Sequence, residues 1–147
     1  MSFLLDTNAI SMFAPSRASA SNAFADWVDE QDRLDAIYLS SMTVHEIEKG
    51  IRLLEAKGAK AKAAGIHTWL QGLIAGYGEH ILPVDKDVAL ESGRLEAIAV
   101  IAGHSPGAAD AIIAGTASLH KLTVITANLK HFLLFGIAVK SPDQVAR

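Results

Sequence analysis

The sequence predicts an α/β domain with a mostly parallel central sheet flanked by helices. Three observations carry that prediction. Short apolar runs alternate with amphipathic stripes at helical spacing along the 147 residues, the pattern of repeated strand–helix units. The run Phe3-Leu4-Leu5 is apolar at every position, and Leu122-Thr123-Val124-Ile125 brings β-branched residues directly after a helical stretch, as buried parallel strands do. Both runs stop abruptly in polar groups, Asp6-Thr7-Asn8 in the first and Thr126-Ala127-Asn128 in the second.

Taken in order, Phe3–Leu5 reads as the first strand. Asp6 and Thr7 then cap a short helix through Met12, which Pro15 stops. Ser19 to Gln31 is a helix with Phe24, Trp27 and Val28 on its apolar side, and Ala36 to Leu39 is the second strand. Val44, Ile47, Ile51 and Leu54 step by three, four and three, the stripe of an amphipathic helix. Thr43 with Glu46 three residues later has capping-box spacing. A further helix fits Lys60 to Ile74 and ends at Gly76 and Gly78. Ile81 to Val84 is a third strand, and Asp87 to Ala102 a helix built on Val88, Leu95, Ile98 and Ala99. Gly103 to Gly107 is a loop, Asp110 opens another helix, Leu122–Ile125 follows as a strand, and Ile137 to Val139 is a last short one.

Composition bounds the function. Residues 1–147 suit one compact domain, and a hydrophobic content of 50% excludes a disordered tail. No apolar run is long enough to cross a bilayer, and the start lacks a signal-peptide pattern, so a cytoplasmic, membrane-free protein is expected. With no cysteine, any metal must be held by oxygen or imidazole ligands. The net charge of −3 exerts no global pull on nucleic acid, although Lys49, Arg52, Lys57, Lys60 and Lys62 concentrate positive charge in one stretch. That run reads as a solvated face, or as a guide for an RNA backbone or an acidic partner. The six histidines show no metal-ligand spacing, and His131 alone stands near a candidate motif, as a possible phosphate contact. Trp27 and Trp69 fall in apolar stripes, which favours packing over base stacking.

The predicted topology brings the acids together. Asp6 closes the first strand, Glu46 lies in the first helical turn after the second, and Asp110 begins the helix that leads back into the fourth. Asn128 follows that strand directly. All four fall on the carboxyl edge of the sheet, where open α/β folds bind ligands. Each acid also has a local explanation: Asp6 as a helix cap, Glu46 as half of a capping box, Asp110 as an anion on a helix N-terminus. Those explanations predict no relation among the three, whereas a site does. Clustered carboxylates raise one another's pKa values, and a hard divalent cation, Mg²⁺ or Mn²⁺, relieves that repulsion. Such an ion suits hydrolysis of a phosphodiester.

The motifs Leu5-Asp6-Thr7-Asn8, Ser41-Met42-Thr43-Val44-His45-Glu46-Ile47, Ala109-Asp110-Ala111-Ile112-Ile113-Ala114 and Val124-Ile125-Thr126-Ala127-Asn128-Leu129-Lys130-His131-Phe132 resemble, in order and spacing over almost the full chain, those of the PIN domain. More narrowly the chain is similar to VapC- or FitB-type toxins of bacterial toxin–antitoxin pairs. The resemblance implies an endoribonuclease dependent on Mg²⁺ or Mn²⁺ and acting on single-stranded regions of RNA. It implies Asp6, Glu46 and Asp110 as metal-binding acids, with Thr7, Asn8 and Thr126 in support. A cognate antitoxin, a homodimer, and contact with DNA only through the antitoxin are implied as well. The family often carries a fourth acid at the position of Asn128 or His131, and neither is an acid here. Asn128 is left to coordinate through its carbonyl or to hold a water, and one firmly bound ion is expected. A haloacid-dehalogenase-type phosphatase also starts from an Asp after its first strand, but it needs a second Asp where this chain has Asn8. A PIN nuclease of RNA processing, or a partner-binding module with weak catalysis, are the remaining alternatives. The RNA target is not encoded in any motif.

Overall fold

The computed structural model describes residues 1–146. Five strands, β1 (Phe3–Leu5), β2 (Ile37–Ser40), β3 (Ile81–Leu82), β4 (Thr123–Ile125) and β5 (Val139–Lys140), form one sheet in the order β3-β2-β1-β4-β5. Every pairing is parallel. The helices are α1 (Thr7–Ser11), α2 (Asn22–Arg33), α3 (Ser41–Ala56), α4 (Lys60–Tyr77), α5 (Lys86–Ile101), α6 (Ala108–Leu119), α7 (Leu129–Leu133) and α8 (Pro142–Val145).

A parallel sheet needs cover on both faces, and the central strands show how the sequence supplies it. Side chains alternate along β1, so Phe3 and Leu5 join a core with α1, α2, α3 and α4, while Leu4 joins a second core with α5, α6 and α7. Ile125 and Val124 of β4 divide the same way. Leu4, Leu5, Val124 and Ile125 are fully buried. Each such side chain stabilises the fold by roughly 1.5–3 kcal/mol. Trp27 packs edge-on against Phe3 at 4.8 Å and stacks on Phe24 at 6.0 Å, in line with the packing role its stripe indicated.

The sheet edge that carries the acids is set by connectivity. From β1 the chain moves outward through β2 to β3, then returns to β4 on the other side of β1. The strand order therefore reverses between β1 and β4, which opens a crevice at their carboxyl ends. The register pairs Leu5 with Ile125, so Asp6 and Thr126 emerge side by side. On the helical side, α6 is held close against α5: a Cβ on Gly115 would stand 2.0 Å from Ser92 Oγ and 2.8 Å from Ser92 Cα. Only a residue without a side chain permits that approach, and it seats the helix whose first turn bears Asp110.

Several elements depart from the sequence expectations. The helix expected from Ser19 begins at Asn22, because the Ser21 hydroxyl accepts from Phe24 N at 3.1 Å and makes Ser21 the cap. The Thr43–Glu46 capping box does not form. Ser40 caps α3 by accepting from Met42 N at 3.0 Å, so Thr43 lies inside the helix and Glu46 falls in its second turn, not its first. The last strand lies at Val139–Lys140 rather than Ile137–Val139, and the third strand ends at Leu82. The helix of Lys60 continues past Gly76 to Tyr77 and stops at Gly78, which adopts φ 52°. Two short helices, α7 and α8, escaped the periodicity because neither is long enough to show one; α8 does carry a capping box between Ser141 and Gln144.

Candidate metal-binding cleft

Asp6 is both a cap and a site residue. Its extended backbone ends β1, and its Oδ1 accepts from Ala9 N at 2.8 Å to start α1. Its Oδ2 accepts from the Thr126 hydroxyl at 2.6 Å, a contact across the β1/β4 crevice between residues 120 apart in the chain. Thr126 is held in turn, since its Oγ1 accepts from Asn128 N at 3.0 Å. Asp6 is only 4% exposed. Burial pushes its carboxyl up to about 6, against the pull of the Thr126 and Ala9 hydrogen bonds, and the nearby Asp110 and Glu46 push in the same direction as burial. Two good hydrogen bonds thus fail to offset the desolvation of this group.

Glu46 reaches the same place from α3. Its Oε1 accepts from the Thr7 hydroxyl at 2.6 Å. Thr43 Oγ1 lies 3.0 Å from Thr7 Oγ1. A hydroxyl has one proton, and Thr7 directs its own to the carboxylate, so Thr43 is the donor in the second contact. Thr43 and Glu46, three apart in sequence, are therefore linked through Thr7 and not through a helix cap. Asp110, in the first turn of α6, has its pKa raised by burial; His131 counteracts that and Glu46 adds to it. His131 Nδ1 stands 3.6 Å from Asp110 Oδ2, beyond hydrogen-bond length.

These groups line one cleft of about 350 Å³ together with Asn8, Arg17 and Asn128. The structure thus gathers Asp6, Thr7, Asn8, Glu46, Asp110 and Asn128, and Thr126 stands behind Asp6. Asp85, which follows β3, caps α5 by accepting from Val88 N at 2.9 Å and does not line the cleft. Arg17 follows the Pro15 stop in a stretch without periodicity, and no local signal in the sequence points to it as a cleft residue. The Lys49-to-Lys62 run spans the end of α3 and the start of α4, and its Arg52 is compensated on α3 by Glu48 at 2.9 Å and Glu55 at 3.2 Å.

Among the described residues, no three His, Asp or Glu side chains are already drawn into a ligand set. Glu46 is turned toward Thr7, and both oxygens of Asp6 accept hydrogen bonds. The donors nonetheless fit a hard cation. They are all oxygens, from Asp6, Glu46, Asp110 and the Asn128 amide, and Mg²⁺ binds through one or two carboxylates while keeping several waters. Burial is the main cause of the raised Asp6 and Asp110 pKa values, with the neighbouring carboxylates adding to it, and a cation would offset both.

A family model described as the PIN domain matches residues 3–133. Toxin FitB of Neisseria gonorrhoeae is 36% identical over 140 residues, covering 95% of this chain and 96% of that protein. The plasmid stability protein StbB of Pseudomonas syringae pv. tomato is 32% identical over 139 residues, covering 95% and 96% respectively. Among solved structures, FitAcB from Neisseria gonorrhoeae superposes with a TM-score of 0.80 at 35% identity, over 95% of this chain and 97% of that one. DNA-bound VapBC from Salmonella typhimurium shares the fold, with a TM-score of 0.78 at 23% identity over 97% of this chain and 98% of that one.

Proposed function

The chain belongs to the PIN-domain family, and from that membership we propose that it is the toxin of a type II toxin–antitoxin pair. Its activity in this reading is endoribonucleolytic, dependent on Mg²⁺ or Mn²⁺ and directed at phosphodiester bonds in single-stranded RNA. The observation that carries the reading is the convergence of Asp6, Glu46, Asp110 and Asn128 on one cleft, with a buried Asp6 whose pKa is raised to about 6. The cap on α1 accounts for one oxygen of Asp6, and no packing demand accounts for Glu46 and Asp110 being brought beside it.

Asp6, Asp110 and Glu46 would hold the cation, with the Asn128 amide oxygen as a weaker donor or a water anchor. The chemistry such an ion supplies is stabilisation of charge on the phosphoryl oxygens and activation of an attacking water. The protein's own groups prepare the place. Thr126 and the α1 amide of Ala9 fix both oxygens of Asp6. Thr7 aims Glu46 into the cleft. His131 lies beside Asp110 and is 63% exposed at its side chain, which supports a phosphate contact at the rim. With Asn128 where an acid would add charge, one firmly bound ion is expected, and a calorimetric titration showing two of equal affinity would contradict this.

The partners follow from the relatives. FitB is a toxin by name, and a FitAB structure at 34% identity is bound to a DNA fragment. For this chain the reading is a cognate antitoxin, DNA contact through that antitoxin alone, and action in the cytoplasm. A homodimer would cover exposed apolar residues such as Leu90, Val100 and Ile101 on α5, and sedimentation showing only monomer at micromolar concentration would exclude it.

Cleavage mapping on total cellular RNA tests the reading. Wild type is expected to cut in Mg²⁺ and to stop in EDTA, while Asp6→Asn and Asp110→Asn are each expected to lose cleavage. Undiminished cutting by both variants would reject the site.

A further inference from the structure

Arg17 brings a guanidinium to an acidic cleft without pairing to any acid among the described residues. Of the four arginines among the described residues, Arg33, Arg52 and Arg94 each bind a glutamate on their own helix. Among the described residues Arg17 forms no ion pair, although it lines the same cleft as Asp6, Glu46 and Asp110. Its one side-chain hydrogen bond runs from Nη1 to the Asn8 amide oxygen at 3.2 Å. Only one of the five N–H donors that a guanidinium offers is thereby used.

Its place is fixed by the backbone. Arg17 N and Ala18 N both donate to Ala14 O, at 3.0 and 2.9 Å, and Ser19 N donates to Met12 O at 2.9 Å. Ala18 takes a left-handed φ of 42° to close this turn, and Ala14 anchors it in the core. A non-glycine residue in that region costs on the order of 1 kcal/mol, so the turn is held by its surroundings. The result is an exposed guanidinium on a hydrogen-bonded loop at the rim of the acids, in contact with a neutral amide.

We propose that Arg17, braced by Asn8, binds the RNA phosphate adjacent to the scissile one; this rests on the nuclease reading above. The charge balance favours such a group. A net charge of −3 and a cleft of carboxylates repel an RNA backbone. A cation gathered by Asp6, Glu46 and Asp110 would attend the scissile phosphate, and the neighbouring one needs a partner of its own. The planar fork of arginine matches phosphate oxygens in a bidentate manner. A carboxylate partner would have blocked that fork, whereas the Asn8 contact orients it and leaves it open. Arg17 is thus a substrate-binding and positioning residue.

The test measures binding of a labelled single-stranded oligouridine by fluorescence anisotropy over a salt series in Mg²⁺ buffer. The full chain carries Asp6→Asn throughout, so that the probe survives. Adding Arg17→Ala is expected to weaken Kd roughly tenfold, as loss of a charge-assisted hydrogen bond does. It should also lower the salt slope by about 0.7, the value of one phosphate contact on a single strand. Arg17→Lys should keep the slope and lose part of the affinity. Equal Kd and equal slope with and without Arg17→Ala would overturn the assignment and leave the nuclease reading standing. A lysine variant as shallow in slope as the alanine variant would overturn it too. If the Asp6→Asn parent itself fails to bind the RNA, the nuclease reading and this inference fall together.

Discussion

Helix α6 belongs to two regions that solve opposite problems. At its middle, Gly115 lets the helix sink against Ser92 of α5 so closely that a Cβ would collide with backbone. At its start, Asp110 shares a cleft with two other acids and is raised in pKa by burial. The first region is well satisfied: Ser92 Oγ donates to Val88 O at 2.7 Å and Thr116 Oγ1 to Ile112 O at 2.8 Å, with small residues filling the contact. The second keeps charge where the solvent has been removed. The difference separates a contact shaped by packing from one shaped by charge. The first has its polar groups paired within their own helices, and the second gathers carboxylates that burial and one another disfavour.

The largest expected effect breaks that division at Asp6. Asp6→Asn should lower cleavage by roughly 10²–10³-fold or more, the scale of removing a principal electrostatic group. The same variant should unfold at a higher temperature than wild type at neutral pH, because the amide carries no charge to desolvate. Thermal unfolding and a cleavage assay on the same preparations check both; a variant that lost activity and stability together would dissolve the comparison.

The next effect is one of pH. Asp6 titrates near 3.8 when unfolded and about 6 when folded, so the folded state holds the proton more tightly. Its contribution to stability is complete below pH 3.8, declines as pH rises toward 6, and is flat above that. At about 1.4 kcal/mol per pKa unit, the swing approaches roughly 3 kcal/mol. Other groups titrate in the acid range, notably Glu91, drawn down to about 2 by Arg94 and Ser118. The quantity to measure is therefore the wild-type minus Asp6→Asn unfolding free energy in metal-free buffer. It should become less favourable to wild type between pH 4 and 6.5, and a constant difference would refute the assigned burial.

Packing comes third. Gly115→Ala should destabilise by about 1–3 kcal/mol through overpacking, with denaturant midpoint as the readout. Adding Ser92→Ala should restore only part of the loss, since Ser92 Cα would still lie 2.8 Å from the new Cβ. The smallest effect belongs to Thr7→Val, which removes the hydroxyl that aims Glu46. Its expected cost is about 1 kcal/mol in kcat/KM, near the value of one hydrogen bond, with little change in Tm. An activity equal to wild type would show that Glu46 needs no such guide.

Much of this was legible in the chain. The parallel α/β plan followed from Phe3–Leu5 and Leu122–Ile125 and from the helical stripes between them, because strand and helix periods are properties of consecutive residues. The carboxyl-edge location of Asp6, Glu46, Asp110 and Asn128 followed from the order of those elements alone. Local signals misled where two explanations share one spacing. Thr43 and Glu46 have the separation of a capping box, yet Ser40 is the cap, and a helix start cannot be fixed to a single residue from composition.

What only the tertiary structure decided is how distant side chains meet. Thr126 clasps Asp6 across 120 residues, Thr7 turns Glu46 across 39, and His131 comes beside Asp110 from a helix too short to announce itself. Arg17 enters the cleft only because a buried Ala14 and a left-handed Ala18 bend its loop there. The physical reason is one of range. Periodicity and capping act within a turn or two, whereas burial, pKa and hydrogen-bond direction depend on groups that the fold, and not the neighbouring residues, brings within 3 Å or so.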